Sequence, residues 1–138
     1  PVRRLLRVIS SVPDQAGGEL FQDEIQRPPG QAPRRARTVR VAFGCNQACD
    51  FCFVSTHLPP ARNAAIRAAI LEAATRGDDI NLSGGEPTLL PHLEDWVRLA
   101  RDSGAGTLEI QTNATRIDGA RARSLKESGA DLLFVSLH

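Results

Sequence analysis

The sequence has no methionine and no tyrosine, one tryptophan, and a single lysine, Lys126, among 17 basic residues. It also lacks charge of either sign in excess: the formal net charge is +1, which gives no electrostatic footprint for nucleic acid or an acidic membrane surface. Nowhere does an apolar run approach the roughly 18 residues that would cross a bilayer. The opening residues 1–12 are interrupted by Arg3, Arg4 and Arg7, so no membrane span and no signal peptide is read there. Cysteine is too scarce for a disulfide framework. There are three, all within positions 45–52, an odd number on one short loop, which fits a metal site in a reducing cytoplasm better than a stapled secreted domain. The absent initiator methionine and the stop at His138 predict a piece of a longer chain. What is present is ordinary for a globular domain, with hydrophobic residues at 41% and charged residues at 24%.

Residues 1–37 are expected to form an N-terminal extension and linker. Apolar groups around Leu5, Leu6, Val8 and Ile9, then Leu20, Phe21 and Ile25, flank a turn-like Pro13–Gly18 stretch, which leaves a hairpin or two short helices open. Arg27–Arg37 mixes Pro28, Pro29, Gly30 and Pro33 with Arg34, Arg35 and Arg37. That is linker composition, a solvated connector before it is a phosphate-binding patch.

From Thr38 the pattern turns regular. Strands are predicted at Thr38–Phe43, Asp79–Ser83, Thr107–Thr112 and Asp131–Leu137. Helices are predicted near Arg62–Arg76, with Ile66, Ala69, Ile70, Ala73 and Ala74 on one face, at Pro91–Ser103, with Leu93, Trp96, Val97 and Ala100 at i, i+3, i+4 and i+7, and at Asp118–Ser128. Gly77, Gly104 and Gly129 close them. The order βαβαβαβ implies parallel strands with right-handed crossovers, hence α/β architecture: an open sheet or part of a (βα) barrel. Strand alternation separates Ile80, Leu82, Leu108 and Ile110, which the helices need, from Asn81, Ser83, Glu109, Gln111 and Asn113, which are expected to face a polar interior joined by Ser136 and His138.

Directly after the first strand stands Gly44-Cys45-Asn46-Gln47-Ala48-Cys49-Asp50-Phe51-Cys52. The C-x3-C-x2-C spacing lets three thiolates converge on one cubane, each soft sulfur on one iron, leaving the fourth iron open as catalytic metal sites do. A Cys3His zinc site from Cys45, Cys49, Cys52 and His57 is the structural alternative. Trp96 reads as core packing. Gly84 and Gly85 also read as relief for a tight turn, Glu86 as a solvent-facing turn residue before Pro87 and Asn113 as a polar strand terminus.

The cysteine spacing with Phe51 before the last cysteine, joined by Gly84-Gly85-Glu86-Pro87 after the second strand and Gln111-Thr112-Asn113 at the end of the third, resembles the radical S-adenosylmethionine (SAM) superfamily over Val39–His138. Ala114 departs from the glycine of that family's frequent T-N-G. The resemblance implies the first half of a partial (βα) barrel, an enzyme with a [4Fe-4S] cluster on Cys45, Cys49 and Cys52, and SAM chelated to the open iron. It implies Phe51 near the adenine, Gly84 and Gly85 admitting backbone to the SAM amino group, Glu86 helping to hold that cation, and Asn113, Ser136 and His138 as candidate ribose or carboxylate contacts. It implies reductive cleavage of the sulfonium to give a radical that abstracts a substrate hydrogen, fed by an electron donor such as flavodoxin or ferredoxin. The substrate, a peptide or small molecule in this reading, is not specified. A non-catalytic metal-binding module or an inactive fragment is the alternative.

Overall fold

The computed structural model describes residues 34–54, 59 and 61–137. The expectations for residues 1–33, His57 and His138 lie outside them. The chain runs β1 (Ala36–Ala42), α1 (Asn63–Thr75), β2 (Asp79–Gly84), a single 3-10 turn (Pro87–Leu89), α2 (Leu93–Asp102), β3 (Leu108–Thr112), α3 (Gly119–Glu127) and β4 (Leu132–Val135). The predicted order is therefore observed. The sheet is parallel throughout, in the order β1-β2-β3-β4, and forms part of a (βα) barrel. β1 starts two residues earlier than its composition predicts, and the 3-10 turn has no signal in the helical periodicity because three residues are too few to show one.

One apolar cluster joins all three helices to one face of the sheet. Val39, Val41, Ile80, Leu82, Leu108 and Ile110 meet Ile66, Ile70, Leu93, Trp96, Val97 and Leu125. Ile70, Ile80, Leu82 and Ile110 have no exposed surface, and burial of each side chain stabilises the fold by about 1.5–3 kcal/mol. α1 is alanine-rich, a composition with high helix propensity, and its Ile66, Ile70, Ala73 and Ala74 are buried. In α2 the i, i+3, i+4, i+7 stripe is buried as its spacing predicts, and Glu94 and Asp95 sit in the first turn, where the helix dipole favours them. All three helices end at a glycine with positive φ.

Side chains stitch the amino-terminal ends of the strands. Asp79 Oδ1 accepts the Thr107 N–H at 2.7 Å, and Asp131 accepts the Leu108 N–H at 2.8 Å. The Arg101 guanidinium donates to the carbonyls of Ala105, Gly106 and Gly129. These contacts leave the carboxyl-terminal ends of the strands to the site, the arrangement parallel α/β folds use for ligands.

Candidate metal and cofactor site

β1 delivers the cysteine loop. Its register against β2 slips between Arg40 and Ala42, so that Arg40 pairs with Ser83 and Ala42 with Gly84. An extra residue of this kind bends a strand and re-aims the chain beyond it, here toward Gly44 and Cys45. The end of β2 is then fastened to that exit: Gly85 N donates to Ala42 O at 2.9 Å and Glu86 N to Gly44 O at 2.8 Å. The two glycines are required by this contact. A Cβ at Gly84 would collide with the Ala42 backbone, and one at Gly85 with the carbonyls of Phe43 and Gly44. Gly84 also has φ +147°.

Glu86, expected to face a ligand, is 1% exposed and bonded to the chain's own donors. Its Oε1 accepts from Thr88 N at 2.9 Å, Thr88 Oγ1 at 2.5 Å and Thr112 Oγ1 at 2.7 Å, and its Oε2 accepts from Asn113 N at 2.7 Å. A carboxylate offers about four acceptor positions, so these four bonds account for most of its capacity. The side chain caps the 3-10 turn and ties the end of β2 to the end of β3.

Asn113 stands at that junction. Its Nδ2 donates to Asn46 Oδ1 at 2.9 Å and to Cys45 Sγ at 3.9 Å, while its Oδ1 accepts from Thr115 N at 3.1 Å and Thr115 Oγ1 at 2.8 Å. Asn46 Nδ2 donates to Thr115 Oγ1 at 2.7 Å, which closes a ring of three side chains. Ser136 continues the β3–β4 ladder, its N–H donating to Thr112 O at 3.0 Å. Phe51 lies 63% exposed on the cysteine loop. Of the residues that join this network, Asn46, Thr88 and Thr115 are not singled out by the sequence, and Thr112 enters only as part of Gln111-Thr112-Asn113. Their partners lie up to 69 residues away in the chain, a separation that no local pattern encodes.

The three cysteines form no disulfide; Cys45 and Cys49 are half-buried and Cys52 exposed. Cys45 Sγ accepts from the Gln47 N–H at 3.4 Å. As thiols, Cys49 donates to Gln47 Oε1 and Cys52 to Val54 O. A set of soft, reduced sulfurs on an open loop, with N–H donors already on one of them, suits an iron-sulfur cluster. Among the described residues no group of three or more His, Cys, Asp or Glu closes on a single metal ion.

On β2 and β3 the face of the sheet opposite the helices is polar, as the alternation predicts. Asn81 Nδ2 donates to Glu109 Oε1 and Ser83 Oγ to Gln111 Oε1, both at 2.9 Å. Among the described residues, the buried Asn81 Oδ1 meets no hydrogen-bond partner.

The model of the Radical SAM superfamily matches residues 39–138, and the chain belongs to that superfamily, whose cofactors are a [4Fe-4S] cluster and SAM. It is 30% identical over 107 residues to a probable GTP 3',8-cyclase of Metallosphaera sedula, covering 72% of this chain and 33% of that protein. It is 35% identical over 98 residues to the Fe-coproporphyrin III synthase of Methanosarcina barkeri, covering 67% and 24%. The chain thus spans a third or less of the length of these relatives. Crystal structures of BtrN share the fold: an open conformation with TM-score 0.63 and 21% identity, covering 79% of this chain and 52% of that one, and a complex with AdoMet and 2-DOIA at TM-score 0.63 and 20% identity, covering 78% and 47%. No helix among the described residues is long and apolar enough to cross a membrane.

Proposed function

We propose that the protein is a radical SAM enzyme acting on a small molecule, with Cys45, Cys49 and Cys52 as the three ligands of a [4Fe-4S] cluster. The observation that carries this reading is the fastening of the cysteine loop to the GGEP segment through Gly85 N–Ala42 O and Glu86 N–Gly44 O, which brings the two most specific motifs of the sequence to one strand end. When bound, the cluster and SAM supply one-electron reductive cleavage of the sulfonium and, through it, hydrogen abstraction. The chain's own residues hold and orient. Gly84 and Gly85 bring backbone to the site, Glu86 places negative charge where SAM's ammonium would be favoured while its oxygens fix the strand ends, and Phe51 offers an exposed apolar ring to the adenine. Asn113 and Ser136, which follow β3 and β4, would be the contacts to the ribose or carboxylate side. The electron comes from a one-electron donor such as flavodoxin or ferredoxin. A small-molecule substrate is supported by the names of the relatives, a GTP cyclase and a Fe-coproporphyrin synthase, and by a net charge of only +1.

Anaerobic reconstitution of the intact protein tests the reading. It should take up about four iron and four sulfide per site with broad absorption near roughly 400 nm, and with a one-electron reductant it should cleave SAM. Cys49→Ala should abolish cleavage and cluster uptake at this site, because residues 1–138 offer no fourth cysteine as a replacement. Full iron content and SAM cleavage in Cys49→Ala, or stoichiometric zinc surviving reconstitution, would overturn the assignment.

A further inference from the structure

We infer that Asn113 is a positioning residue that fixes Cys45 and, by donating an N–H to its sulfur, raises the reduction potential of the cluster held there; this rests on the proposal that the three cysteines are cluster ligands. A primary amide has two protons to give, and Asn113 directs one to Asn46 Oδ1 and one to Cys45 Sγ. The residue is held at its backbone as well as at its side chain. Its backbone N–H is fixed on the buried Glu86 carboxylate, and its oxygen is fixed by two donors of Thr115. The positive φ of Ala114, 58°, turns the chain so that Thr115 returns over Asn113. Thr115 Oγ1 in turn accepts a hydrogen bond from the Asn46 amide, on the residue next to Cys45.

The three sulfurs are not equivalent. Cys49 and Cys52 act as donors in the thiol form, toward Gln47 Oε1 and Val54 O, and a thiolate has no proton with which to keep those contacts. Cys45 is an acceptor from both the Gln47 N–H and the Asn113 amide, and such bonds strengthen when the acceptor becomes an anion. Of the three sulfurs, Cys45 is the one that accepts hydrogen bonds and donates none of those the structure shows. On one-electron reduction of a cluster held by these cysteines, negative charge on the sulfurs would grow. An N–H aimed at a sulfur therefore stabilises the reduced form more than the oxidised form, and the potential rises.

The test is a potentiometric titration monitored by electron paramagnetic resonance on the reconstituted intact protein without SAM, so that any contact of Asn113 with SAM plays no part. Asn113→Leu should move the midpoint to a more negative potential with iron and sulfide content unchanged. Thr115→Val removes the hydroxyl that closes the ring without touching a sulfur, and should move the midpoint the same way by less. Ser83→Ala, which breaks only the Ser83–Gln111 contact on the same sheet, should leave it in place. An unchanged or raised midpoint in Asn113→Leu overturns the inference, as does a shift of equal size in Ser83→Ala. Should Asn113→Leu fail to take up a cluster, Thr115→Val decides, and an unchanged midpoint there overturns it. Failure of the unaltered protein to load any cluster would instead bring down the proposed function, and this inference with it.

Discussion

Ala114 holds φ at 58°, a left-handed conformation that costs an L-residue roughly 1–2 kcal/mol. The departure from T-N-G thus falls where the backbone itself calls for glycine. The strain is supported locally: Ala114 N donates to Thr112 Oγ1 at 3.0 Å, and the next residue is locked to Asn113. Ala114→Gly relieves the strain but restores freedom to the unfolded chain, which offsets about 0.4–1 kcal/mol of it. The expected outcome is a net gain of about 0.5–1 kcal/mol in urea denaturation, and a loss of stability would show the conformation to be unstrained. The same scale shows where reading from sequence runs out. Glu86 and Asn113 stand out as candidate site residues because their motifs mark them. No pattern along the chain announces that Glu86 buries its carboxylate on Thr88, Thr112 and Asn113, since a side chain's hydrogen-bond partners depend on which strand ends meet in space.

Among the elements, the segment from the end of β2 through the 3-10 turn joins packing to the site. From sequence the glycine pair suits either a turn or cofactor approach. In the structure the pair lets the end of β2 lie against the exit of β1, where a Cβ at Gly85 would meet the carbonyls of Phe43 and Gly44. Gly85→Ala should therefore do more than weaken SAM binding. By forcing apart the Gly85–Ala42 and Glu86–Gly44 contacts, it displaces the residue before Cys45, and overpacking of this kind costs about 1–3 kcal/mol. Iron uptake on reconstitution should fall together with the urea midpoint. Normal iron content in a destabilised Gly85→Ala protein would show that the cysteine loop does not depend on this fastening. The helices are more legible than this segment, because Leu93, Trp96, Val97 and Ala100 in α2 are set by a periodicity that the sequence displays directly.

At the scale of the whole molecule, the alternation of β and α units dictates the parallel sheet and the side on which its helices lie, through Ile80, Leu82, Leu108 and Ile110. The order β1-β2-β3-β4 puts β1 and β4 at the two edges of the described sheet. β4 is apolar along its length, Leu132-Leu133-Phe134-Val135, with its first three residues only partly buried. Its uncovered face continues the row Asn81–Glu109 to Leu132 and the row Ser83–Gln111 to Phe134. A strand edge with free N–H and C=O groups and apolar side chains recruits another strand, and neither a charge nor a proline stands within β4 to prevent it. A polypeptide of residues 1–138 expressed alone should therefore associate through this edge, and sedimentation velocity at rising concentration should show dimers or larger species growing with concentration. Leu133→Lys places a charge on the helix-facing side and would disturb the core, where Leu133 is packed. Phe134→Lys, on the opposite face, is the better probe, because a charge on an edge strand blocks pairing while leaving the helix contacts alone. It should shift the population toward monomer. A cooperatively unfolding monomer from the unaltered 138 residues would overturn the argument, since it would mean that the edge of β4 needs no further strand to shield it.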